Sequence, residues 1–437
     1  MLSKNIRFES IVDCIKITFY QKNGKLMRND RVIARNSLYK MAQTAYRQST
    51  LIKSSSGYME VHYNNINFTD NIDLLFKFDI DCKLNVIFNN CKFKNLQLIH
   101  KKFNVSLCFY NCKFQEKTIF TYTNFSNQSV FKDCIFNKYT DFQDVDFDNV
   151  SFYNSTFRDD VRFCGASFDK SIFARVQFHR FVDFTMTSID KNKTSFMGCR
   201  TGYTIDDMRK LAADKIDSLR ESYCIIKSIL ISEHNILEAA NWRKLELYAK
   251  EVELESKKSK KFAREWIDKW QLLFYRITSN HHTDLLKSFH SLLVVIGIFA
   301  FLNIVIIIGF NCYCLQNVSL YPYALIAHYN AIIKHFLNCN YISLLAINLV
   351  LVVVFILLFC FTFCNKLRKI IIFLSYFLVL FLLISLPQYI IPTISIFTDK
   401  RPFLDPLSII GGIYTILFAT MFFSFIKTAR KNSIVPN

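Results

Sequence analysis

The sequence predicts a β-solenoid followed by a helical neck and a four-span α-helical membrane domain, and three observations carry that expectation. An apolar residue, nearly always Phe, recurs at every fifth or sixth position between Phe88 and Phe184. After Thr201 the spacing turns helical. From Ser291 onward come uncharged runs of 20 or more residues, the length needed to cross ~30 Å of hydrocarbon.

The first element is the rhythm itself. An α-helix repeats its face every 3.6 residues and a strand every two, so neither has this period. A step of five arises when a chain turns a corner after each short extended piece and points one side chain per piece at a common axis. The centres are Phe88, Phe93, Leu98, Phe103, Phe109, Phe114, Phe120, Phe125, Phe131, Phe136, Phe142, Phe147, Phe152, Phe157, Phe163, Phe168, Phe173, Phe178 and Phe184. Tyr58, Tyr63, Phe68, Leu74, Phe78 and Leu84 continue the spacing backwards with more interruptions. Four steps to a coil make about six coils, roughly 30 Å long at ~4.8 Å per stacked strand. Burying each ring contributes roughly 1.5–3 kcal/mol before entropy, which explains the abundance of Phe without a ligand. Steps such as Phe103–Phe109, Phe114–Phe120 and Phe125–Phe131 are six residues long and predict an extra residue bulged out at a corner.

Small residues stand two places before many centres, as in Val145-Asp-Phe147, Val150-Ser-Phe152, Ser155-Thr-Phe157, Ala166-Ser-Phe168, Ser171-Ile-Phe173 and Val176-Gln-Phe178. This pattern resembles the pentapeptide-repeat family over roughly residues 58–190. The resemblance implies a right-handed, quadrilateral β-helix with the Phe and the small residue both inward; the six-residue steps depart from the family's regular unit. The whole arrangement is also similar to membrane-anchored bacterial pentapeptide-repeat proteins. Some soluble members imitate duplex DNA, which needs a strongly acidic outer face. Residues 82–190 carry 14 Lys plus Arg against 11 Asp plus Glu, and that balance argues against such a role.

Of 14 cysteines, Cys82, Cys91, Cys108, Cys112, Cys134 and Cys164 fall inside the repeat at no zinc-ligand spacing. Cys91, Cys112 and Cys134 each precede a centre by two residues and read as small core filler. Residues 1–57 form a basic segment, a cap or an arm, with a strand-like stretch Ile15–Tyr20, a loop Ser54–Gly57 and no signal-peptide pattern. The repeat domain is expected over 58–200 and the neck over 201–287. Within the neck, a helical pair over 205–257 breaks near Asn235, and a further helix covers Phe262–Ile277.

The membrane domain, 288–437, has spans at Ser291–Phe310, Tyr341–Cys364, Ile370–Phe397 and Pro406–Ile426. Lys260, Lys261, Arg264, Arg276 and Lys287 precede the first span; Lys366, Arg368 and Lys369 follow the second; Lys427, Arg430 and Lys431 follow the fourth. The positive-inside rule therefore puts both termini and the β-helix in the cytoplasm, with the spans in the inner membrane. The net charge of +19 fits an anionic lipid surface rather than nucleic acid. Pro387 and Pro392 are expected to kink or end the third span. The outer loop 311–340 sets Leu325, Tyr329, Ile332, Ile333, Phe336 and Leu337 against His328, Lys334 and His335, the spacing of a helix lying flat at the interface. Cys312, Cys314 and Cys339 bracket that loop as candidates for a disulfide on an oxidising outer side.

No catalytic, cofactor-binding or metal constellation stands out. His281 and His282 are adjacent, which does not converge on a metal as i, i+4 spacing does. Cys360 and Cys364 have that spacing but no further Cys or His partner within the spans, and read as packing residues. The spans contain no ionisable residue, Asn303, Asn348 and Gln388 being their most polar groups; a transport path usually needs one. The expectation is a non-enzymatic membrane protein presenting a cytoplasmic β-helix to an unknown protein partner, with the lipid bilayer as its other partner, no nucleic acid, no cofactor, and room for a homo-oligomer. The alternative is a channel or transport protein with the β-helix as its regulatory domain.

Overall fold

The computed structural model describes residues 49–53, 59–68, 84–257 apart from 105, 260–313, 322–339, 341–362, 365–385 and 404–432. The predicted strand Ile15–Tyr20, the loop Ser54–Gly57, the prolines Pro387 and Pro392, and Cys82, Cys314, Cys364 and Gln388 lie outside these residues. The chain divides into two compact units, Met1–Ser259 and Lys260–Asn437.

The first unit is a β-solenoid of about six turns over residues 62–201. Its inward residues form four ladders, one per side. On the first side Phe88, Phe109, Phe131, Phe152, Phe173 and Phe196 are in register from coil to coil. On the second, Phe68, Phe93, Phe114, Phe136, Phe157 and Phe178 are. Phe120, Phe142, Phe163 and Phe184 stack on the third side, and Phe103, Phe125, Phe147 and Phe168 on the fourth. Rings of successive coils lie parallel, 4.4 Å apart between Phe114 and Phe136 and 4.9 Å between Phe120 and Phe142. Across the axis they meet edge to face, as Phe142 and Phe152 do at 5.8 Å. Both geometries suit the ring quadrupole and add about 0.5–1.5 kcal/mol per pair beyond area burial.

The corners alternate in kind. Asn65, Asn90, Asn111, Asp133, Asn154, Arg175 and Gly198 have positive φ between the first and second sides; His100, Tyr122, Asp144, Gly165 and Met186 do so between the third and fourth. All these corners belong to five-residue steps. The six-residue steps fall at the other two corners, and the expected bulge is there: Phe125 pairs with Phe147 but Gln128 with Asn149, one residue further on. A left-handed residue reverses the chain sharply; a corner without one has room for an extra residue. Asn and Asp dominate the first set because their short polar side chains tolerate this conformation.

Both ends of the sheet stack are covered. Ser49–Lys53 pairs antiparallel with Met59–Asn64 at the N-terminal end, so part of the basic segment covers an edge that would otherwise be open for pairing. At the other end a helical turn α1 (Ile205–Met208) leads to α2 (Ala213–Ser232) and α3 (Ile236–Ser256). Ile216, Leu219, Tyr223, Ile226, Trp242 and Val252 join the same buried core as the Phe ladders. The Ser222 hydroxyl accepts from the Phe184 backbone N–H at 2.7 Å, and Glu238 accepts from Gly198 N–H at 2.9 Å. The helical pair therefore caps the last coil. Its apolar rows have a partner already, the exposed end of the Phe core. Glu253, 5% exposed, is held by Arg220, Lys250 and Lys257. Burial alone would raise its carboxyl, but these cations outweigh burial and hold it below its ordinary value.

The second unit comprises α4 (Arg264–Ser279), α5 (Leu285–Tyr313), α6 (Pro322–Cys339), α7 (Tyr341–Phe361), α8 (Asn365–Ser385) and α9 (Pro406–Asn432). Among the described residues four stretches are long and apolar enough to cross a membrane: Leu285–Cys312, Tyr341–Phe361, Leu367–Ile384 and Pro406–Arg430. α5 is central and packs against the other five helices. It approaches α8 closely at Gly297, where any side chain would run into Ser375, and α9 at Phe299, stacked on Tyr414 at 3.9 Å. The amphipathic α6 departs from its expected place. Tyr329 and Ile333 are buried in the helix bundle and Phe310 meets both Tyr329 and Phe336, so that apolar face packs on protein. Tyr329 donates to the buried carboxylate of Asp405, just before α9.

Candidate interaction surface

Outward side chains of the solenoid stand one place before and one place after each centre, so every side displays two columns. On the second side these columns carry Lys92, Lys94, Lys113, Arg158 and Arg200, all exposed, with neutral residues such as Gln115, Thr156 and Gln177 between them and no carboxylate at these positions. The opposite, fourth side carries Asp146, Asp148, Asp169 and Asp190 against Lys102. Lys193 bridges Asp169 at 3.2 Å and Asp190 at 3.5 Å, and the hydrogen bond it donates to Asp169 chiefly raises its ammonium pKa above the ordinary value. The near-neutral total thus hides a sorting of charge onto opposite sides. Composition cannot show this; reading the outward positions by side, every fourth step, would have found it.

The first side is different again. Its outward column of Ile87, Cys108, Val130, Ser151 and Ile172 is small or apolar, with Cys108, Val130 and Ser151 buried, and Tyr110, Lys132 and Tyr153 flank it. At the third-to-fourth corner His100 stacks on Tyr122 at 4.8 Å. Such stiff, flat faces can recognise a partner by charge and shape without moving.

The predicted repeat centres Phe88, Phe93, Phe103, Phe114, Phe125, Phe136, Phe147, Phe152, Phe157, Phe168, Phe173 and Phe178 are at most 5% exposed. They build the core and leave the surface to their neighbours. Cys91, Cys112, Cys134, Ser155 and Cys199 form one inward column two places before the second-side centres. Beyond filling space, each donates to a main-chain carbonyl of the preceding coil: Cys112 to Phe88 O at 3.4 Å, Ser155 to Phe131 O at 3.0 Å, Cys199 to Phe173 O at 3.1 Å. Burial pushes the Cys199 thiol up to about 12; at Cys112 the hydrogen bond with Cys134 does the same. Among the described residues no group of three His, Cys, Asp or Glu is placed to hold a metal ion.

His281 and His282 lie in the turn between α4 and α5, where Asn280, His281 and His282 all have positive φ. His282 Nδ1 lies 3.0 Å from Ser424 Oγ on α9. That contact gathers the basic flanks of the first and fourth spans at one end of the bundle. Cys312 and Cys360 are exposed; Cys314 and the side chain of Cys339, the other members of the candidate disulfide, lie outside the described residues.

No protein-family model matches the chain, and no curated protein matches it. The coil length of about 21 residues and the stacked Phe ladders are consistent with a pentapeptide-repeat-like fold. The chain is a membrane protein with a repeat domain.

Proposed function

We propose that this protein is a non-enzymatic membrane scaffold of the pentapeptide-repeat type, whose solenoid presents its charge-sorted sides to a cytoplasmic protein partner. The observation that carries this reading is the opposition of Lys92, Lys94, Lys113, Arg158 and Arg200 on one side to Asp146, Asp148, Asp169 and Asp190 on the other. Opposed columns on a stiff rod speed encounter with a complementary surface and fix its register. The basic side suits an acidic protein face. The termini and the solenoid are assigned to the cytoplasmic side of a bacterial inner membrane, supported by the basic flanks of the first and fourth spans meeting at one end of the bundle.

The test is retention of a partner from solubilised membranes by the intact protein. The partner should be lost from the Lys92→Glu/Lys94→Glu/Lys113→Glu variant and kept by Asp146→Lys/Asp148→Lys. Recovery of only lipid and chaperones, or ion flux in proteoliposomes, would overturn the scaffold reading. A reporter fused after Asn437 should be active only in the cytoplasm.

A further inference from the structure

At the end of the bundle where α4 meets α9, cations from three helices converge: Arg276 near the end of α4, Lys287 in the first turn of α5 and Arg368 in the first turn of α8. Lys287 Nζ donates to the Arg276 carbonyl at 2.8 Å. Both Arg276 and Arg368 repel the Lys287 ammonium, while the carboxylate of Asp284 attracts Lys287 and Arg368 alike. Lys287 and Arg368 are half-buried, so water screens this repulsion less than at an open surface. Beside them a cavity of about 20 Å³ has an apolar wall that includes Val294, Phe359 and Met421, and a polar wall of Thr278, His290, Ser291 and Arg368, with room for one oxygen-sized group.

The same end carries a second, independent mark. Phe262, in the turn just before α4, meets Trp266, and Trp266 meets Trp270 one helical turn on, with ring centroids 5.1 and 6.0 Å apart. Phe274 continues this aromatic ridge onto Phe359 of the bundle. Phe262, Ile267 and Trp270 are 79%, 52% and 51% exposed. Tryptophans next to a spanning helix concentrate at the headgroup level of a bilayer, which sets the neighbouring cationic cleft at the depth of lipid phosphates.

We propose that the cleft between α4, α5 and α8 binds the phosphate of an anionic phospholipid, with Arg368 and Lys287 as its ligands and the α4 ridge beside the upper acyl chain. Arg368 supplies a planar fork matched to two phosphate oxygens, and Lys287 a point charge. The inference rests on the spans being membrane-embedded, which flotation of the protein with phosphatidylcholine vesicles reports separately.

The experiment uses the full chain in nonionic detergent, with lipid adducts counted by native mass spectrometry after addition of phosphatidylglycerol, phosphatidylcholine or inorganic phosphate. Phosphatidylglycerol should be retained over phosphatidylcholine. Retention should fall roughly fivefold per charge removed in Arg368→Gln and Lys287→Gln, and only slightly in Arg368→Lys. Lys427→Gln/Arg430→Gln, which removes two charges at the same end but outside the cleft, serves as the control and should cost clearly less than the Arg368→Gln/Lys287→Gln pair. Equal retention of the two lipids, unchanged binding by the Arg368→Gln/Lys287→Gln protein, or an equal loss in the control would overturn the site. Full competition by inorganic phosphate would overturn the lipid assignment and mark a free-phosphate site. If the double variant fails to float with phosphatidylcholine vesicles, the Arg368→Lys and Arg368→Gln pair decides.

Discussion

The side-chain amide of Asn90 donates to Asn65 Oδ1 at 2.6 Å across 25 positions of sequence. Asn111 in turn donates to Asn90 Oδ1, and Asn154 to Asp133 Oδ1 at 3.0 Å. The ladder runs up a corner at which every described residue has positive φ. It combines a backbone demand with a side-chain bond between coils. Asn111→Gly should therefore be nearly neutral, with relaxed φ offsetting one lost exposed hydrogen bond. Asn111→Val should destabilise by about 1–2 kcal/mol, since a β-branched residue resists the left-handed conformation. Denaturant unfolding of the two variants in detergent checks the contrast.

Phe142 lies in the middle of the core, stacked between Phe120 and Phe163 and edge-on to Phe131 and Phe152. Phe142→Ala is expected to cost about 3–5 kcal/mol. Because each coil touches only its neighbours, the loss should appear first in amide exchange of the adjacent coils. Uniform loss of protection along residues 84–201 would contradict this nearest-neighbour behaviour.

The inward thiols should be chemically inert. Cys112 and Cys199 are raised to about 12, whereas an unfolded thiol titrates near ~8.5. The fold thus favours the protonated form. That contribution is complete below the unfolded value and is lost as pH rises from ~8.5 towards the folded one. At pH 8 both thiols should resist iodoacetamide in the native protein and react after denaturation, as mass spectrometry of the peptides would show. Native-state alkylation of Cys112 would contradict the assigned hydrogen bonding.

Tyr329 donates to Asp405, whose Oδ1 also accepts the Leu407 N–H at 3.2 Å. This pair joins α6 to the start of α9, and Asn348 adds a bond to Leu404 O at 2.7 Å. Tyr329→Phe leaves a buried carboxylate short of a donor and should destabilise the bundle by about 1–3 kcal/mol. Tyr329→Phe/Asp405→Asn should recover part of that loss. A thermal-unfolding cycle of the four proteins in detergent measures the coupling, and additive effects would rule it out.

Much of the architecture was legible in the sequence because it rests on local periodicity. The Phe spacing specified an inward residue per side and the six-residue steps located a bulge, as the shift between Phe125 and Gln128 shows. Uncharged runs marked the spans because bilayer thickness sets a minimum length. Less visible was the partner of each amphipathic face. Tyr329, Ile333 and Phe336 have the spacing of an interfacial helix, and the same spacing serves a helix packed on protein.

The sequence by itself determined the solenoid, the spans and the basic ends of the spans, since each is written in neighbouring residues. Tertiary structure alone decided that α2 and α3 cap the last coil. It alone brought Arg276, Lys287 and Arg368 together at one cleft. The reason is physical: helix packing joins residues as distant in sequence as Phe184 and Ser222, and no single period connects them.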